Sequence, residues 1–128
     1  MHQARGLAEL VNLARRERDM DTIVYTGYTL EQLKQSPLEG VPELLTLTDV
    51  LIDGPYNPQL NDNQGLRGSR NQSIHHLTLR LACFDFENCI RRLEVFINHG
   101  NITTVGIMPA GFIQPLDMAI GQSFGGAV

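Results

Sequence analysis

Two cysteines, four histidines and a few carboxylates and arginines at chain turns are the residues here that could do chemistry. Cys83 and Cys89 are spaced C-x5-C, and no second pair exists to complete four thiolate ligands. Arg91 and Arg92 follow Cys89 and could favour its thiolate, but the expectation is two inert thiols. His75 and His76 are adjacent, so in a strand they face opposite sides and cannot chelate one ion. His2 and His99 stand alone, and neither H-x-x-x-H nor H-E-x-x-H occurs. No His-ligated metal is expected. The Walker loop, G-x-G-x-x-G and G-x-S-x-G are also absent.

Binding groups remain. Asp53, before Gly54-Pro55, is placed to contact a ligand hydroxyl or amine, whereas Asp49 reads as a helix–strand junction residue that bonds nearby backbone. Arg67, Gly68, Ser69, Arg70, Asn71 and Gln72 cluster donors in one loop. They read either as an anion site or as a loop that bonds itself.

The elements that would position these groups follow from hydrophobic period. Residues 4–19 read as an amphipathic helix with Leu7, Leu10, Val11 and Ala14 on one face and arginines at its end. TIVYT (22–26) reads as a buried strand. Thr29 and Gln32 form a capping box for a second helix that ends before Pro37, and Pro42 opens one further turn. Residues 48–53 give the next strand. Helix, strand, helix, strand is half of a βαβ array with parallel strands, whose ligand would sit outside the strands' carboxyl ends. Thr26-Gly27-Tyr28 and Asp53-Gly54-Pro55-Tyr56 fall there.

Residues 54–72 form a long polar loop, a length that in a compact domain is usually functional. Residues 73–82 alternate as a strand, and 93–98 with 102–108 form a β-hairpin about His99-Gly100-Asn101. GFIQPLDMAIG has room for a short helix, and the tail SFGGAV is expected to fray.

At 128 residues and 14.3 kDa the chain fits one domain. Its net charge of −4 argues against a nucleic-acid partner. No apolar run approaches the roughly 18 residues of a membrane span, and no signal-peptide h-region opens the chain, so a cytoplasmic protein without a membrane partner is expected.

Taken in order, TIVYTGYTLEQL, LLTLTDVLIDGPYNPQL and LRGSRNQSI resemble blocks of the activating proteins of anaerobic ribonucleotide reductase. These are single-cluster radical-SAM activases of glycyl radical enzymes. The likeness covers residues 4–76, and RRLEVFINHGNITTVGIMPAGF loosely resembles a β extension in a bacterial subgroup. It implies a partial radical-SAM-type (β/α) parallel sheet over 1–72, with a β-hairpin extension and tail over 73–128, in one compact domain. Such proteins bind a [4Fe–4S] cluster through C-x-x-x-C-x-x-C, cleave S-adenosylmethionine at it, and abstract a glycine hydrogen on a partner enzyme.

This chain has neither C-x-x-x-C-x-x-C nor the Gly-Gly-Glu that helps hold the methionyl amine. Both would lie upstream of Met1, so the chain is expected to be the C-terminal portion of such a protein, inactive alone and without a cofactor of its own. The resemblance assigns cofactor-side positions to Thr26, Gly27, Tyr28, Asp53 and Gly54, and the pocket-closing loop to Arg67, Ser69 and Asn71. Where some activases carry a basic residue after Asp-Gly, Pro55 stands here. The alternative is a non-catalytic binding or assembly module that uses an exposed sheet edge, and a third reading is a small-ligand or nucleotide-binding domain. The expected partner is another protein chain, a second copy or a glycyl-radical-type enzyme.

Overall fold

A computed structural model of the chain describes residues 3–112. The helix expected in GFIQPLDMAIG and the tail after it lie, from residue 113 on, outside the described residues. The described elements are α1 (Ala4–Glu17), β1 (Ile23–Tyr25), α2 (Leu30–Lys34), α3 (Val41–Thr46), β2 (Val50–Asp53), a 3₁₀ turn (Pro58–Leu60), β3 (Ser73–His76), β4 (Leu93–Asn98) and β5 (Asn101–Gly106). Among the described residues no helix is long and apolar enough to cross a membrane.

The architecture is α/β, as expected from the alternation of elements. The first sheet has the order β1-β2-β3, with β1 parallel and β3 antiparallel to β2. Every residue of β2 is buried, because the strand is paired on both edges and covered on both faces. Leu51 packs with Ala4, Ala8, Leu33, Val41 and Leu44 of the helical layer. Val50 and Ile52 pack on the opposite face with Phe86, and Leu66, Ile74 and Leu81 close around them.

Three expectations need correction. β1 is a half-exposed edge strand rather than a buried one, with Tyr25 49% accessible. In α1 the helix buries Ala4 and Ala8 and packs Val11, while Leu7 and Leu10 stay exposed. Small alanines let α1 approach α3 closely, so the buried stripe is rotated from the one the leucines suggest. The strand expected over 73–82 stops at His76, where its partner β2 begins at Val50. Beyond that point Leu77 N and Thr78 N both donate to Asp49 O, at 2.8 and 3.3 Å, and the chain bends away.

Asp49 is the helix–strand junction residue expected of it, fully buried. Its Oδ2 accepts from Thr22 N (2.8 Å) and Arg15 Nη2 (2.6 Å), and its Oδ1 from the Thr78 hydroxyl (2.7 Å). The capping box is present as read: Thr29 Oγ1 accepts from Gln32 N and Gln32 Oε1 from Thr29 N. β4 and β5 form a separate two-stranded sheet, but β5 starts at Asn101, paired with Asn98, and ends at Gly106 rather than spanning 102–108, so the turn is His99 and Gly100 alone, at φ 49° and 79°. Positive φ at both central residues matches a two-residue hairpin turn.

Candidate functional site at the carboxyl ends of the parallel strands

Parallel pairing sets Tyr25 beside Ile52, so β1 and β2 end side by side. Thr26 N donates to Ile52 O (3.0 Å) and Gly54 N to Tyr28 O (3.1 Å), which ties the two strand exits together. A cavity of about 340 Å³ opens there, lined by Tyr25, Thr26, Gly27, Gly54, Tyr56, Gly68, Gln72 and Ile107. Burial pushes the Tyr25 hydroxyl above its ordinary range, and that hydroxyl donates to Leu66 O at 2.7 Å.

Gln72 organises the cavity's loop wall. Its Oε1 accepts from Gly68 N (2.9 Å) and Ser69 N (3.1 Å), and its Nε2 donates to Gly54 O (2.9 Å). Ser69 is buried and its hydroxyl accepts from Asn57 N, while Asn71 Nδ2 donates to Pro55 O at 2.7 Å. Arg67 pairs with Asp62 at 3.2 Å. Gln72, Asn71 and Arg67 thus engage partners within residues 54–72.

The residues singled out from sequence divide among three places. Thr26, Gly27 and Gly54 meet in the strand-end cavity. Asp53, Gly54 and Asn71 line a neighbouring space of about 440 Å³ with Thr29, Lys34, Ser73 and His75. There Asp53 Oδ2 accepts from Leu30 N and lies 2.9 Å from His75 Nε2, without hydrogen-bond alignment. Tyr28 lines a third space, against α2 and Pro37. Arg67 and Ser69 line none of the three.

Sequence reasoning missed Ile107, Arg91 and Asn61. Arg91, with only 6% of its side chain accessible, donates to Gly65 O (2.8 Å), Gln64 O (3.0 Å), Arg67 O (2.5 Å) and Asn61 Oδ1 (2.7 Å). One guanidinium thus fastens the base of the hairpin to the long loop. Residue types and spacing could not reveal this, because all its acceptors but one are backbone carbonyls.

Fold and cavity together define an α/β domain built around the carboxyl ends of a parallel strand pair. The chain belongs to the family of 4Fe-4S single cluster domains, which it matches over residues 1–75. It is similar to the anaerobic ribonucleoside-triphosphate reductase-activating protein of Pasteurella multocida, 39% identical over 79 residues, covering 58% of this chain and 49% of the relative. The protein of the same name from Vibrio cholerae is 38% identical over 84 residues, 62% of this chain and 51% of the relative. That of Escherichia coli K12 is 40% identical over 58 residues, 44% of this chain and 35% of the relative. The chain spans about half the length of the first two relatives. No solved structure matches it.

The family implies an iron–sulfur cluster, and the donor set of these residues does not fit one. A cluster of this kind is held by converging cysteine thiolates. Cys83 is exposed and Cys89 half-buried, with its Sγ 3.9 Å from Phe86 O, and neither lines the strand-end cavity. Among the described residues no three His, Cys, Asp or Glu side chains group where they could hold a metal.

Proposed function

We propose that the chain is activase-like: part of a protein that acts on an anaerobic ribonucleotide reductase in the cytoplasm, with S-adenosylmethionine bound at the strand ends. The observation that carries this reading is the cavity at the ends of β1 and β2. All of its walls but Ile107 come from the family-matched residues 1–75, among them Thr26, Gly27, Gly54 and Gly68. In this reading the parallel pair β1 and β2 is part of a radical-SAM-type (β/α) sheet. Residues 1–72 form its partial core and 73–128 an extension of the same compact domain. Thr26, Gly27 and Gly54 face the ligand, and Asp53 sets the strand exit by holding Leu30 N. The loop that carries Arg67, Ser69 and Asn71 contributes Gly68 and Gln72 to the cavity wall. The cluster thiolates would come from outside these 128 residues.

The test is the intact mass and iron content of the protein isolated from its native source. A mass above 14.3 kDa together with a redox-active cluster supports the reading. An iron-free protein of 128 residues overturns it.

A second reading, an assembly module, is favoured by one feature. Among the described residues β1 pairs only with β2, and no described strand covers its other edge beside the half-exposed Ile23 and Tyr25. Unpaired edges invite strand addition. Sedimentation tests it: a concentration-dependent dimer supports this reading, and a monomer at all concentrations removes it.

A further inference from the structure

β5 ends at Gly106, and residues 107–112 then run back to the polar loop. Ile107 is a wall of the strand-end cavity. Ile107 and Tyr56 also wall a second space of about 530 Å³, closed by the rest of this segment. The two spaces share those side chains as walls. We propose that residues 107–112 are a latched strap controlling access to the strand-end cavity, with Asn61 as its catch and Arg91 as the group that sets the catch.

The geometry follows from donor and acceptor chemistry. Asn61 Oδ1 accepts from Arg91 Nη1 at 2.7 Å and from Asn63 N at 3.2 Å. A guanidinium has donors only, so the amide oxygen must face Arg91 and the amide NH₂ must face the other way. There it donates to Met108 O at 3.0 Å. A second hold is Ala110 N donating to Asn63 Oδ1 at 2.6 Å. Both holds are side chain to backbone, and the strap takes no part in either sheet. It can therefore leave the loop without breaking a ladder. Gly106 stands at the hinge with φ 131°, where a Cβ would lie 2.3 Å from Arg92 O. Releasing the strap removes Ile107 from the walls the two spaces share and joins them into one groove.

The test is hydrogen exchange on the 128-residue chain. Asn61→Asp keeps the acceptor for Arg91 and replaces the donor facing Met108 O by an oxygen. Exchange at the Ala110 and Phe112 amides is expected to rise by about tenfold, the loss of about one hydrogen bond, with β2 unchanged. Asn63→Gly, which tolerates the φ of 59° found there, removes the other hold and should act the same way. Wild-type exchange in both variants would overturn the latch, as would a rise shared equally by β2. The readout involves no ligand, so it stands or falls apart from the activase reading.

Discussion

The Arg15 guanidinium meets the Asp49 carboxylate at 2.6 Å, joining the last turn of α1 to the start of the central strand. The carboxylate is fully buried, while the arginine keeps 27% of its side chain accessible. Burial alone pushes the Asp49 carboxyl up. The Thr78 hydroxyl, the Thr22 amide, Arg15 and Arg80 more than reverse this, leaving it below the usual carboxylate range. A folded value below the unfolded one makes a contribution to stability that is present above about pH 4 and lost as pH falls through the folded value. Stability should therefore fall on acidification, and Asp49→Ala should remove about 3 kcal/mol at neutral pH. Urea melts of both proteins from pH 7 to pH 3 check this, with a flatter pH dependence expected in the variant.

Leu51 is the one residue of β2 that packs into the helical layer. Leu51→Ala is expected to cost about 3 kcal/mol through lost burial and an unfilled cavity. Leu10, 60% accessible on α1, should tolerate Ser within about 0.5 kcal/mol. The same melts compare the two, and equal losses would mean that α1 buries its leucine face in solution.

Arg91→Lys keeps a positive charge but replaces a planar fork by a point of three donors. At least one of its four acceptors should go unpaired, at a cost of about 2 kcal/mol. Calorimetry would read the lower Tm, and exchange should quicken first across residues 61–67.

Gly65 has φ 60°, and a Cβ there would lie 2.3 Å from both Phe86 O and Glu87 O. Gly65→Ala combines a disfavoured backbone with a backbone clash and should cost about 3 kcal/mol. A variant as stable as the parent would refute the close approach of the two loops.

Anaerobic incubation of the 128-residue chain with iron and sulfide should leave no stable cluster chromophore after desalting. Cys83→Ser and Cys89→Ser should change neither that result nor the melting curve. A chromophore lost with either cysteine would contradict the donor argument.

What sequence made legible was local and periodic. The capping box at Thr29 and Gln32, the hairpin about His99-Gly100 and the apolar run of β2 each carry their signal within a few residues. The reach of β3 was not legible, since its alternation continues past His76 while its partner does not. Pattern reports what a strand can do, and pairing decides where it ends. The face of α1 was misread because alanine burial depends on how near α3 comes. Of the candidate site, the strand ends at Thr26 and Gly54 followed from topology. Ile107 lies more than fifty residues after Gly54 and enters the same cavity only by tertiary return, which no local rule anticipates.

β2 is satisfied only by partners that lie far off in the chain on either side. Ile23 reaches it across two helices, and Ile74 across the polar stretch from 54 to 72. Both loops must close, and their entropy be spent, before any ladder bond rewards the chain. Refolding should accordingly be slow for so small a sheet, and shortening the polar stretch should speed it. The segment that shapes the cavity also sets the pace at which the molecule is made.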